Sequence, residues 1–295
     1  MLSILISVYN YDCRPLVSAL YAQAQALKRP YEILLLDDCS STYVAENRTL
    51  ERFGTVVFYQ NERNRGLSAS RNKLASLAKH PYLLFLDADA MPPDDLFLQR
   101  YTETLDDSEV LIGGICYSDT RPADSQLLRW VYGHGREAST ARQRQQQTLR
   151  LSFNFVLRKD IQIRFPFNEH IQDYGHEDTL LGIQMQQNGV LITHIDNPMI
   201  HMGLEESSVF LTKSLIAAEK CLRQQVFQQK EVVQEIKLFR SFQRVKSLRI
   251  KRLLSLFYRI FHTGMKRHLL GKHPSLFIYD VYRLSYLCRM EGHVK

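Results

Sequence analysis

Cysteine is scarce and scattered. The five thiols, Cys13, Cys39, Cys116, Cys221 and Cys288, are odd in number and never spaced Cys-x-x-Cys. That excludes a disulfide framework and a paired-cysteine zinc site, and it fits a reducing cytoplasm. No run of eighteen or more apolar residues occurs, so no transmembrane helix is expected. Met1–Tyr9 is apolar but lacks a basic leader and a small-residue cleavage site. It reads as a buried first strand, not a signal peptide. Acidic residues are scarce in one part only. From Leu204 to Lys295 there are 7 Asp or Glu against 18 Lys or Arg, a net of +11. Met1–Gly203 carries 24 against 20, a net of −4. Such asymmetry points to an anionic partner for the C-terminal part.

What is present suffices for a sizeable core. The chain has 295 residues, 45% of them hydrophobic. That allows one large α/β domain with an appendage. Strand-like runs are expected at Ser3–Tyr9, Glu32–Leu36, Val56–Tyr59 and Tyr82–Leu86. Helical patterns lie between them, at Arg14–Leu27, up to about Phe53, and over Leu67–Lys79. This alternation implies βαβ units and a mostly parallel sheet, which binds ligands beyond the C-terminal ends of its strands. Further on, the pattern predicts a helix after Pro93 and a strand over Val110–Tyr117 broken by Gly113-Gly114. An exposed Arg136–Arg150 segment, a strand over Leu149–Arg158, a helix over His176–Asn188 and a strand over Val190–Ile195 follow. From about Glu205 the chain turns helix-prone. The expected division is an α/β domain over 1–203 and a basic helical region over 204–295.

Several polar groups fall at these strand ends. Asp87-Ala88-Asp89 follows an apolar strand. Two carboxylates there suit a hard divalent cation shared with substrate phosphates, although such triplets also occur as solvated turns. Asn64 to Asn72 places Gly66 at a loop-to-helix junction and Arg71 about one turn further in, a pattern that can receive an anion or simply start a helix. Glu177-Asp178 opens a helix, where the carboxylates could cap it or serve as a base. His201 follows the last strand and is a structural residue or a metal ligand.

Together these motifs resemble the inverting family-two glycosyltransferases of GT-A fold. The matching segments are Ser7-Val8-Tyr9-Asn10, Asp37-Asp38-Cys39-Ser40, Asn64 to Asn72, Asp87-Ala88-Asp89 and Glu177-Asp178, in that order. The resemblance implies a nucleotide-diphospho-sugar donor, UDP-linked, and Mn²⁺ or Mg²⁺ as cofactor. It implies that Asp38 hydrogen-bonds the base with Tyr9 packed beside it. Arg71 would contact the base or diphosphate, and Asp87 would approach the ribose. Asp89 would ligate the metal, with His201 as a downstream ligand. Asp178 would be the general base, and Glu177 would help to hold the acceptor, a glycan or lipid-linked saccharide in polysaccharide biosynthesis. Gly175-His176-Glu177-Asp178 further resembles the galactosyl- and N-acetylgalactosaminyl-transferase branch, with Tyr174 where that branch often carries Trp. A nucleotidyltransferase would show a Gly-rich, basic phosphate loop after the first strand, where this chain has Tyr9-Asn10-Tyr11-Asp12. A non-catalytic binding module would have no need of Asp89 and Asp178.

Lys230–Lys272 holds 12 basic and 2 acidic residues. Two apolar sets run through it: Leu238, Phe239, Phe242 and Val245, then Ile250, Leu253, Leu254, Phe257 and Phe261. The spacing is that of an amphipathic helix. It would either lie on an anionic membrane surface, peripheral on the inner face, or pack on the catalytic domain. Nucleic acid is disfavoured, because no motif beyond charge supports it.

Overall fold

Leu2, Ile4, Ile6 and Val8 enter one hydrophobic core, and Leu5, pointing the other way, enters a second. The same alternation splits Ile33 and Leu35 from Leu34 and Leu36, and Leu84 and Leu86 from Leu83 and Phe85. Strands buried on both faces are what a parallel sheet covered by helices requires. The computed structural model describes residues 1–27, 29–105, 108–146, 151, 153–171, 177–223 and 230–291. They fall into two compact units, Met1–Tyr117 with Ala138–Gly203, and Ser118–Glu137 with Leu204–Lys295.

The strands of the first unit are β1 (Leu2–Val8), β2 (Tyr31–Asp37), β3 (Val56–Gln60), β4 (Tyr82–Asp87), β5 (Ala90–Met91), β6 (Val110–Ile112), β7 (Ile115–Cys116), β8 (Asn154–Arg158), β9 (Ile192–His194) and β10 (Met199–His201). Its helices are α1 (Arg14–Ala26), α2 (Val44–Arg48), α3 (Leu67–Leu77), α4 (Phe97–Thr104), α6 (Ala141–Gln145), α7 (Lys159–Arg164) and α8 (Glu177–Gln187). The second unit holds α5 (Leu127–Tyr132), α9 (Ser207–Arg223), α10 (Lys230–Glu235), α11 (Lys237–Ser247), α12 (Lys251–Leu269) and α13 (Leu276–Met290).

Seven strands form one sheet in the order β3-β2-β1-β4-β8-β6-β9, antiparallel only where β8 meets β4 and β6. The expected α/β class with a mostly parallel sheet and a helical C-terminal region is therefore what the chain adopts. Register aligns the functional ends: Val8 pairs with Asp37, Asp37 with Gln60, and Ser7 with Asp87. A second sheet, β5-β10-β7, pairs His201 with Ala90.

Two details depart from the sequence pattern. Val110–Tyr117, expected as a strand broken by Gly113-Gly114, does break there, but its two parts, β6 and β7, belong to different sheets. Gly114 sits at φ +94°, and a Cβ on Gly113 would collide with the Tyr101 hydroxyl, the Asn197 carbonyl and the Asn154 amide. The helix expected up to Phe53 is short: α2 passes into a 3₁₀ turn, Thr49–Phe53, that ends at Gly54 with φ +72°. Helix α8 ends at Asn188-Gly189, a pair that favours a left-handed cap. Gly189 takes φ +73°, and the Val190 N–H reaches the Met185 carbonyl at 3.1 Å. His176 and residues 147–150 of the basic segment lie outside the described residues.

In the second unit Leu128, Phe210, Leu211, Tyr258, Leu269, Tyr279 and Tyr282 make an aromatic-rich core. Of the first apolar set, Phe239, Phe242 and Val245 on α11 are buried.

Candidate active site

The loops after β1 and β2 are laced together. Asn10 Oδ1 accepts from the Ser41 N–H at 2.8 Å, and the Asn10 N–H donates to Ser40 Oγ at 2.8 Å. Asn10 and Cys39 both adopt left-handed backbone, φ 51° and 64°, as does Phe153 at 70°. Non-glycine residues in that region cost energy and gather where a site over-determines them. Here all three lie beside the line of strand ends.

Asp38 is buried, and its carboxylate is taken up locally. Oδ1 accepts from Asn61 Nδ2 at 2.7 Å and from the Arg65 N–H at 2.9 Å. Oδ2 accepts from the Gly66 N–H at 2.8 Å. Gly66 stands at φ +84°, a conformation a side chain would strain, and it opens α3. Asp38 thus fixes the loop that presents α3, and Tyr9, 56% exposed, stands free of the core. Asp37, which sequence reasoning passed over, is fully buried. Its Oδ1 accepts from the Ser40 N–H at 2.9 Å, while Oδ2 makes no hydrogen bond. Ser7 Oγ, Ser68 Oγ and Ser70 Oγ are likewise buried without a hydrogen bond. Unmatched polar atoms on β1, β2 and the first turn of α3 fit a site that receives a polar ligand.

Arg71, on the second turn of α3, is 5% exposed in its side chain. Its Nη2 donates to Asp87 Oδ1 at 2.8 Å, and its Nη1 lies 3.8 Å from Glu177 Oε1. The guanidinium lies 5.2 Å from the Phe167 ring centre and 5.9 Å from that of Phe155. One cation therefore ties together a strand end and a helix start 90 residues apart in the chain. Burial, and then the neighbouring Asp178 charge, push the Glu177 carboxyl up to about 7 against the opposing pull of Arg71. Between the ordinary value of 4.5 and about 7, native Glu177 holds a proton that the unfolded chain releases. Stability should therefore fall as pH rises through that window, by at most about 3 kcal/mol. In Glu177→Gln this slope should vanish. Melting curves of both proteins at about pH 4.5 and about pH 8 test it. A constant difference between them at the two pH values would count against the raised carboxyl.

A second pair forms at the small sheet. His201 Nε2 lies 3.4 Å from Asp89 Oδ2, and the Met202 N–H donates to the Asp89 carbonyl at 2.8 Å. The imidazole lies between Phe153 and Tyr117, with ring centres 5.2 and 5.5 Å away. Neither aromatic was legible as a site residue, because each lies outside any polar motif. Asp89 also helps burial to raise the Tyr11 phenol, so Tyr11 borders the same corner. A network behind β10 holds it in place. Asn154 Nδ2 donates to the Asn197 carbonyl at 2.7 Å and accepts at Oδ1 from the Tyr101 hydroxyl at 2.6 Å. Arg144 Nη2 donates to the Gly113 and Ile195 carbonyls at 3.0 and 2.7 Å.

Among the described residues no group of three or more His, Cys, Asp or Glu could hold a metal ion by itself. The Asp89–His201 pair nevertheless fits an ion that completes its shell with phosphate oxygens and water. Gly203 leaves room for the Asp89 carboxylate to stand where it does, since a Cβ there would overlap it. Asp178 accepts at Oδ1 from the Thr179 N–H at 2.7 Å and from Thr179 Oγ1 at 3.3 Å. Arg71, Asp87 and Glu177 are thus brought together, as are Asp89 and His201. Asp38 is engaged instead by Asn61, Arg65 and Gly66, and Tyr9 is exposed just after β1.

The profile of Glycosyl transferase family 2 matches residues 3–166, more than half of the chain. The match takes in Tyr9, Asp38, Arg71, Asp87 and Asp89, and stops short of Glu177, Asp178 and His201. An uncharacterized glycosyltransferase of Haemophilus influenzae is 35% identical over 89 residues, 30% of this chain and 29% of that relative. The matched stretches span less than half the length of the curated relatives, 29% and 43%. Solved structures that share the fold include two with nucleotide sugars bound. One is the mannosyltransferase PcManGT from Pyrobaculum calidifontis in complex with GDP-Man and Mn²⁺, at TM-score 0.60, 13% identity, and coverage of 100% of this chain and 88% of that one. The other is S. aureus TarS 1-349 in complex with UDP-GlcNAc, at TM-score 0.51, 16% identity, and coverage of 99% and 91%. These likenesses agree with the GT-A fold expected above.

Proposed function

The chain belongs to glycosyl transferase family 2, and on that premise we propose that it moves a sugar from a nucleoside-diphosphate donor, UDP-linked, to a hydroxyl of a glycan or lipid-linked acceptor. The observation that carries this reading is Arg71 held between Asp87 and Glu177 on the line of strand ends. A buried guanidinium paired in this way fixes one carboxylate at the end of β4 and another at the start of α8, so that groups for the donor and for the acceptor are held side by side. The base end of the donor would lie against Tyr9 and the loop that Asp38 secures, with Asp87 toward the ribose.

In the proposed reaction Asp178 accepts the proton of the acceptor hydroxyl. The freed oxygen attacks the anomeric carbon, and the bond to the diphosphate breaks with its electron pair leaving on the nucleotide. Attack from the opposite face inverts the anomeric centre. Glu177 steadies the acceptor and Arg71 holds Asp87 in place. Mn²⁺ or Mg²⁺ on Asp89 and His201 would supply charge neutralisation for the departing diphosphate. The same reading has the protein peripheral on the inner face of a membrane, through its C-terminal helices.

A melting-temperature screen tests the donor assignment. A ligand that binds only the native state raises the midpoint by mass action, about 2.7 kcal/mol at a hundredfold excess over Kd. Among UDP- and GDP-sugars with Mn²⁺, at least one should raise it, and EDTA should remove the rise. A flat response across the panel would sink the reading.

A further inference from the structure

α12 is apolar on two opposite sides. One side is occupied: Tyr258 and Leu269 are buried with Tyr279 and Tyr282, and Met265 packs on that core. The other side carries Leu253, Leu256 and Ile260, spaced i, i+3 and i+7 and 65%, 49% and 62% exposed. Of the second apolar set, Leu253 thus belongs to this outward ridge, and Phe261, 50% exposed, stands at its margin. Arg252 and Arg259 run along one side of the ridge, and Arg249, just before the helix, and Arg267 lie in line with it at either end. All four are exposed and form no ion pair among the described residues, whereas Lys246 and Lys251 are both engaged by Glu291 at 2.6 Å. From Ile236 to Tyr279 the chain has 11 Lys or Arg and no Asp or Glu.

We propose that this outward face of α12 docks flat on an anionic phospholipid surface. Leu253, Leu256 and Ile260 enter the boundary between headgroups and acyl chains. Arg252, Arg259 and Arg267 meet lipid phosphates while their stems cover the edge of the ridge. Charge complementarity selects this occupant. An acidic protein groove would match the cations alone, and an apolar groove the ridge alone. A surface apolar beneath and anionic above matches both along a helix of 19 residues. The helix lies on the bilayer rather than in it, since no described helix is long and apolar enough to cross. The inference rests on the peripheral-membrane part of the proposed function and is independent of the transfer chemistry.

The test is co-sedimentation of the full chain, without nucleotide sugar, with vesicles of phosphatidylcholine alone or with about a third phosphatidylglycerol. Binding is expected only to the anionic vesicles and should weaken with salt. Each neutralised arginine should cost about fivefold, so Arg252→Gln with Arg259→Gln should weaken partition by about 25-fold. Leu253→Ser, Leu256→Ser and Ile260→Ser together should abolish it while leaving the melting temperature and donor hydrolysis unchanged. If that triple variant unfolds, the arginine pair carries the test. Equal partition to both vesicles, no partition, or variants that bind like wild type would overturn the proposal. So would a ridge variant that changes only the oligomeric state, since a second copy would then be the occupant. Loss of hydrolysis with vesicle binding intact would indict the transfer reading instead.

Discussion

Asp178→Asn is expected to keep donor binding and to lose transfer by on the order of 10²–10⁴-fold, the range typical of a general base. The substitution is close to isosteric. Its Oδ1 can still accept from the Thr179 N–H and hydroxyl, the contacts that set the side chain at the first turn of α8. What disappears is an oxygen able to take a proton. The loss should therefore appear in kcat, with the nucleotide-sugar stabilisation of the fold unaltered. Asp178→Ala is a less discriminating variant, because it also releases Thr179. If Asp178→Asn turns over like wild type, the base is another group. Glu177, whose carboxyl sits near neutrality, is then the first to examine.

Gly203→Ala is expected to lower metal-dependent turnover by about 10²-fold, the scale of an ångström-size misplacement of a reacting group. The argument is steric. The added Cβ would meet Asp89 at Oδ2, and its Cβ and Cγ at 2.9 Å. Asp89 must swing away or β10 must shift, and either change separates the carboxylate from His201 Nε2. Weaker retention of Mn²⁺, measured directly by titration, should accompany the rate loss. Gly264→Ala in α12 is the control, since nothing lies within 4 Å of a Cβ there. It should stabilise the helix by roughly 0.5–1 kcal/mol and leave turnover alone. Undiminished Mn²⁺ binding in Gly203→Ala would remove the metal role from this corner.

The first four strands and their polar ends were legible because they obey local rules: an apolar run, then Asn, Asp or Asp-x-Asp where the chain leaves the sheet. Ordered motifs then located Arg71 and Glu177. The use Asp38 makes of its carboxylate was not legible. Asn61, Arg65 and Gly66 reach it across a strand and a loop, and no spacing encodes that. The strands β5 and β10 escaped notice because two or three residues carry no period, yet their pairing sets His201 beside Asp89. The Gly113-Gly114 break was visible as composition, but its meaning, a change of sheet, depends on Tyr101, Asn154 and Asn197. In α12 the pattern merged two faces into one. Leu254 and Leu253 are equally apolar, and only packing against the rest of the helical unit distinguishes the covered side from the open one. Nor does composition reveal that 118–137 clusters with the helices after 203.

The level ends of β1, β2 and β4 also bear on the order of assembly. During synthesis β1 is made first and its two parallel neighbours soon after, so the proposed donor side can take shape from the first hundred or so residues. The corner that pairs Asp89 with His201 cannot. Its small sheet waits for β10, the last strand in the chain, which at about 5–20 residues per second follows β4 by several seconds to tens of seconds. Until then the Asp89 carboxylate stands without the imidazole opposite it. Under the proposed function, metal-dependent donor turnover would therefore begin late in the life of the chain, and its onset during refolding would time the closure of β10 rather than the formation of the sheet.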